Sequence, residues 1–230
     1  MLKKLFILAM LASATLATAQ TATTRTPFIR ASGEGVVTIK PDQAKVVLGV
    51  TTQGNTAEEA TARNAEIVAA VLNDLRAALG ASADIRTVGF NVYPNYRTPN
   101  PGQPSTIAGY TCTNSVEITM SDTAGVGRII DIGTKAGANT VSSVRFLLKD
   151  SQPSRAQALR LATQQARTQA EAIAQGLGAR VGRILAAADS TTGAISPIRD
   201  GAPGLATTTP IEAGTLEVRA TVTIEAEIVI

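Results

Sequence analysis

The chain has 230 residues, and its stock of nucleophiles and proton carriers is short: no histidine and one cysteine, Cys112. That removes Ser-His-Asp and Cys-His nucleophilic pairs, every His-based zinc or copper site, thiolate zinc clusters and a CxxC redox pair. Ser-Lys and carboxylate chemistry stay open. Ser32-Gly33-Glu34-Gly35 carries residue types that suit a reactive loop. It lacks the spacing of a nucleophile elbow, however, and more strand follows it, whereas a phosphate loop opens a helix. The structural reading is two glycines on one face of a strand, where missing side chains permit a bulge or the close approach of another backbone. Ser32 and Glu34 then share the opposite face, and Glu34 is placed to pair with a basic residue on a neighbouring strand. Asp42, Asp84, Glu117 and Asp131 are spread over different elements, with no spacing that brings two of them onto a metal or a glycosidic bond. No catalytic, metal-binding or cofactor-binding residue is therefore expected. Cys112 reads either as an oxidant-sensing thiol or as a buried, inert one, and Tyr110, Val116 and Ile118 on its inward face favour the second.

The elements that must position these residues begin after an export signal. Lys3 and Lys4 precede an apolar run from Leu5 to Leu16, and Ala17-Thr18-Ala19 offers small residues for cleavage. Residues 1–19 are expected to be a signal peptide. The run falls short of the ~20 residues that span a bilayer. Residues 20–27, polar and ended by a proline, read as a flexible leader, and residues 28–230 as one domain in the periplasm. Without Lys3 and Lys4 the 21 basic residues become 19 against 18 acids, a formal charge of +1. Scattered basic residues at that balance argue against nucleic acid as a partner.

Two alternating runs, Ile29–Ile39 and Val46–Val50, flank Pro41-Asp42 and read as a hairpin-like pair. Thr56-Ala57-Glu58-Glu59 matches a capping box, and Ile67, Val71, Leu75 and Leu79, with Val68 and Leu72, make a helical stripe stopped by Gly80. Val88, Phe90 and Val92 share one strand face. In the next strand Tyr110, Cys112, Val116, Ile118 and Met120 face in, and Thr111, Thr113, Ser115, Glu117 and Thr119 face water. Asp122 caps a short helix to Lys135, and a strand with Val144, Phe146 and Leu148 facing in follows. Ser151 and Pro153 open a third helix, with Leu159, Ala162, Ala166, Ala170, Ile173 and Leu177 inward. Residues 191–213 read as a long irregular loop. The fold class is α+β: an antiparallel or mixed sheet with helices packed on one face and a long C-terminal strand, Leu216 to Ile230.

Two surfaces stand out for contact. Tyr93, Tyr96 and Tyr110 bracket the proline-rich segment 97–108, and with Arg97 they form a candidate interaction surface. The final strand, far longer than the usual ~5 to 6 residues, either bends or reaches past its own subunit. In the second case Leu216, Val218, Val222, Ile224 and Ile228 are candidate oligomer contacts, and a homo-oligomer is expected. The alternatives from other classes are a hydrolase with a carboxylate or Ser-Lys site, and a monomeric module binding a small ligand.

The assembled motifs resemble the SIMPL-domain family of bacterial secreted or periplasmic proteins. The resemblance rests on Ser32-Gly33-Glu34-Gly35 with Val37 and Lys40-Pro41-Asp42, on Leu48-Gly49-Val50, Thr56-Ala57 and Asn64, and on Gly109-Tyr110 with Asn114 and Val116. Ala136-Gly137-Ala138-Asn139, Ala158, Ala170-Glu171-Ala172, Leu177-Gly178 and Leu216-Glu217-Val218 complete it. It implies an α+β subunit in the periplasm and, in some members, assembly into large ring- or barrel-like oligomers. It also implies, for some members, association with the outer membrane and protection against oxidative or other envelope stress. The family has no agreed catalytic residues.

Overall fold

Proline supplies no donor to a ladder, so Lys40-Pro41-Asp42 interrupts the long alternating run, and the interruption divides the molecule. A computed structural model describes residues 26–80, 83–97, 104–191, 195–198 and 211–230; the expected signal peptide and most of the leader lie outside them. Its elements are β1 (Phe28–Ile39), β2 (Gln43–Gly54), α1 (Ala57–Leu79), β3 (Asp84–Arg97), β4 (Thr106–Met120) and α2 (Val126–Lys135), followed by β5 (Thr140–Leu147), α3 (Gln152–Gly176), β6 (Arg180–Asp189), β7 (Ile195–Ile198) and β8 (Thr215–Val229).

The α+β class and the long final strand are as read from the sequence, but the strands form two antiparallel sheets. One has the order β1-β8-β6, with β7 also beside β8; the other has the order β3-β4-β2-β5. The expected hairpin of β1 and β2 is not formed. β1 pairs with β8 over its whole length, and β2 pairs with β4 and β5. The segment read as an irregular loop contributes β7, whose residues 195–198 pair with Thr215–Val218.

Each sheet carries its helices on one face and has its own core. In the larger lobe Val46, Leu48 and Val50 of β2 and Ile118 and Met120 of β4 pack against Val68, Val71 and Leu75 of α1 and Ile129 and Ile130 of α2. Helix α1 starts as the capping box requires: Thr56 Oγ1 accepts from the Glu59 N–H at 3.1 Å, and Glu59 returns a carboxylate oxygen to the Asn55 N–H at 2.9 Å. The sequence stripe missed Asn64, which is fully buried and donates to the carbonyl of Val50 at 2.8 Å. A buried amide in a helix is stabilised by such a bond, and here the bond ties α1 to the centre of β2. Helix α2 is shorter than expected, because Asp122 accepts from the Gly125 N–H and closes the preceding turn without capping the helix itself.

In the second lobe α3 lies across β1 and β8. Its inward stripe is Ser154, Ala158, Ala162, Ala166, Ala170 and Ala174, a strict four-residue repeat; the expected Ile173 and Leu177 are exposed, and Leu159 is only partly buried. The reason is steric. A Cβ on Gly33 would lie 2.2 Å from the carbonyl oxygen of Ala162, and one on Gly35 would lie 2.0 Å from that of Ala158. The β1–β8 register runs without a break, so these glycines serve close approach and make no bulge. Larger side chains on either partner would separate the layers. On the other face Ser32 meets Thr223 at 2.9 Å and Glu34 meets Arg219 at 2.6 Å, the cross-strand pairing anticipated for this stretch.

Gly35→Val is expected to lower stability by about 3 kcal/mol, at the upper end of the overpacking range. Gly176→Ala, at the end of α3 where a Cβ meets nothing, should be neutral or stabilise by up to about 1 kcal/mol. Urea denaturation of both variants checks this. A second expectation concerns Asp189, which joins β6 to α3 through Arg155 at 2.9 Å. Hydrogen bonds from Thr191, with that from Arg155, hold its carboxyl down to about 2. A depressed carboxylate contributes stability that is complete above the unfolded value of ~3.9 and is lost as pH falls toward the folded one. Asp189→Asn should therefore flatten the loss of stability between pH ~4 and ~2, and carbon-detected NMR should place the Asp189 midpoint near 2.

Candidate functional site

Three of the carboxylates singled out from the sequence, Asp42, Asp84 and Glu117, are held by cations or a backbone amide. Asp42 accepts from the Lys149 N–H at 2.7 Å, where the two lobes join. Asp84 and Glu117 both approach Arg86, at 2.9 and 3.8 Å. The Arg86 hydrogen bond lowers the Asp84 pKa. Neither partner of that arrangement is a free general acid or base. Among the described residues no three of His, Cys, Asp and Glu stand close enough to hold a metal. Cys112 lies fully buried on the inner face of β4, and desolvation raises its thiol pKa. An open cleft of about 440 Å³ at the lobe junction is lined by Leu79, Asp84, Met120, Asp122 and Lys149. Its two aspartates are already taken, by Arg86 and by the Gly125 N–H.

Glu117, expected on the wet face, is buried there by the cations that surround it. On the sheet face turned away from α1 and α2, its carboxylate receives Lys45 of β2 at 3.2 Å, Arg145 of β5 at 3.6 Å and Arg86 of β3 at 3.8 Å. Four strands thus contribute one side chain each to the group.

The aromatic residues give a clearer surface. None of the six in the described part is fully buried; the cores are built from Ala, Val, Leu and Ile with Met120, and only Phe146 of the six packs against them, partly buried. Phe90 is 55% exposed, Tyr93 50% and Tyr96 64%, all on β3. Among the described residues strand β3 is an edge, paired with β4 alone. Helix α1 lies over β2 and β4 and leaves β3 largely uncovered. A register shift between Thr87 and Gly89 also puts Val88 outside. Phe90 is opposite Asn114 on the helix-bearing side, and Tyr93 is opposite Thr111 on the other, so aromatic surface shows on both faces of the strand. Of the predicted interaction residues, Tyr93 and Tyr96 are exposed with Arg97 beside them, and Tyr110 is half-buried opposite Pro94. Residues 98–103 of the proline-rich segment lie outside the described residues.

The other predicted contacts are placed differently. Leu216, Val218, Val222 and Ile224 are buried on the α3 side of β8 and Ile228 is partly buried there, so their side chains are spent within the subunit. Nor is β8 an edge: β1 flanks it on one side and β6 and β7 on the other. The strand of that sheet with a run of exposed apolar side chains is instead β6. Its Ile184 and Leu185 are exposed, as are Ala186, Ala187 and Ala188, because α3 covers β1 and β8. The sequence carried a signal for this, the unbroken apolar run Ile184–Ala188, which lacks the alternation of a half-buried strand.

The chain matches the SIMPL family model, described as a protein of unknown function (DUF541), over residues 29–226. It is 30% identical over 166 residues to a 26 kDa periplasmic immunogenic protein of Brucella melitensis, covering 71% of this chain and 66% of the relative. It is 26% identical over 158 residues to the uncharacterized protein YggE of Edwardsiella ictaluri, covering 69% of this chain and 66% of that one. The matches thus span just under two thirds of these relatives' length.

Proposed function

Because the chain belongs to the SIMPL family, we propose that it is a periplasmic protein of the cell envelope that acts by assembling with copies of itself and carries out no catalysis. The relatives named as periplasmic support the location, as does the leader pattern of residues 1–19. The observation that carries the assembly is the pair of unlike, uncovered edges: β3 with Phe90, Tyr93 and Tyr96 in one sheet, β6 with Ile184 and Leu185 in the other. An exposed apolar edge offers unpaired N–H and C=O groups to another strand. Two different edges on one subunit favour a heterologous, head-to-tail contact, which closes into a ring when the rotation allows.

A protective role in oxidative or other envelope stress is the physiological form of this reading. Cys112 is too deeply buried to scavenge oxidants, so protection would come from the assembly and its position in the envelope, including any association with the outer membrane. Exposed tyrosines suit a membrane interface as well as a protein one.

Light scattering coupled to size exclusion on residues 20–230 should give a discrete multimer larger than a dimer. Phe90→Lys with Tyr93→Lys on β3, or Ile184→Lys with Leu185→Lys on β6, should each reduce the mass to that of the monomer. Mixing the two double variants should restore a dimer and nothing larger, since each keeps one good edge. A monodisperse wild-type monomer at micromolar concentration would overturn the assembly.

A further inference from the structure

We propose that the open face of the β3-β4-β2-β5 sheet binds a phosphoryl group, held by Arg145, Lys45 and Arg86 above Glu117. Lys45 and Arg145 stand directly opposite each other in the β2–β5 register, and like charges in that position repel. Glu117 offsets this only in part. It takes a hydrogen bond from Lys45 at 3.2 Å, while Arg145 at 3.6 Å and Arg86 at 3.8 Å stand beyond hydrogen-bond reach. Asp84 occupies one guanidinium nitrogen of Arg86 at 2.9 Å. Three cations therefore face two carboxylates. Among the described residues Arg145 makes only the ion pair with Glu117 and donates no hydrogen bond, and its side chain is 63% exposed.

The three cationic heads converge within 4 Å of a single carboxylate, so the oxygens of one anion can reach them together. A guanidinium fork with unspent donors matches phosphoryl oxygens in pairs. Ser143, opposite Val47, and Ser115, opposite Gly49, place hydroxyl groups on the same face. The contrast with the other sheet strengthens the inference. There Arg30 meets Glu225, Arg183 meets Glu227, and Arg219 is shared by Glu34 and Glu217, which leaves no surplus of cations among these groups. The phosphoryl group can come from a soluble phosphate ester or from a phospholipid headgroup of the envelope.

The test is a titration of residues 20–230 with inorganic phosphate at fixed ionic strength, followed by calorimetry and by melting temperature. Phosphate should raise the melting temperature where sodium chloride of equal ionic strength does not. Arg145→Gln should weaken binding at least tenfold, Glu117→Gln should tighten it, and Arg160→Gln on the exposed side of α3 should leave it unchanged. Without phosphate, Arg145→Gln should melt no lower than the wild type, because the substitution relieves the repulsion with Lys45. A lower melting point for Arg145→Gln, with an unaltered phosphate response, would make Arg145 a prop for Glu117 and overturn the site. Cosedimentation with phosphatidylcholine vesicles containing phosphatidylglycerol, and not with phosphatidylcholine alone, identifies a headgroup as the source. Phosphate binding without cosedimentation identifies a soluble ester, and the absence of both responses overturns the proposal.

Discussion

The contact on which the second lobe depends is backbone against backbone. Helix α3 comes so close to β1 that Gly33 and Gly35 have no room for a methyl group, and every fourth helix residue from Ala158 to Ala174 is alanine. Alanine and glycine bury little apolar area each. What they permit is a dense interlayer contact in which many weak dispersion terms add. The same contact fixes where α3 lies, over β1 and β8, and so determines that β6 stays bare. In the larger lobe α1 is held over β2 and β4 by its apolar stripe and by Asn64 beneath Val50, and β3 stays bare. Each lobe thus covers its central strands and leaves exposed large apolar side chains on an outer strand, β3 in one and β6 in the other.

That distribution bears on function more directly than any single residue. A sheet edge costs little in isolation but is a template for another chain. Many proteins blunt such edges with charge or with a cover. Here β3 carries Pro94, Arg86 and Arg97 but also the most exposed aromatic residues of the described chain, and β6 carries five apolar residues in a row. Among the described residues no aromatic side chain is fully buried, and all but the partly buried Phe146 and Tyr110 are exposed.

The outer sheet faces differ in electrostatic character. Cross-strand ion pairs of exposed side chains contribute little stability, so the pairs of Arg30, Arg183 and Arg219 on one sheet help to set register and local neutrality. On the other sheet the charges do not balance strand by strand. Lys45 and Arg145 oppose each other, and with Arg86 they put three cations within 4 Å of the Glu117 carboxylate.

How much of this was legible in the sequence follows from the range of each interaction. Local signals held: the Thr56 capping box, the Gly80 stop, the alternation of β8 and the close-approach glycines at 33 and 35. These depend on neighbours within a few residues. Partner choice did not follow. The alternation of β1 and β2 says that each is a half-buried strand, but the same pattern suits a hairpin and two separate sheets equally. The final strand looked like an edge because its length is visible and its flanking by β1, β6 and β7 is not. The inward stripe of α3 was displaced toward Leu159, Ile173 and Leu177 because large apolar residues mark a core in general, whereas here only alanine fits against the strand glycines. Glu117 read as solvated because Lys45, Arg86 and Arg145 lie 72, 31 and 28 residues away in the chain. The sequence by itself determined the class of the elements and the chemistry the chain cannot do, since those rest on residue type and local period. Only the tertiary structure decided which strands became edges and which charges met, since both depend on contacts between residues far apart in the chain.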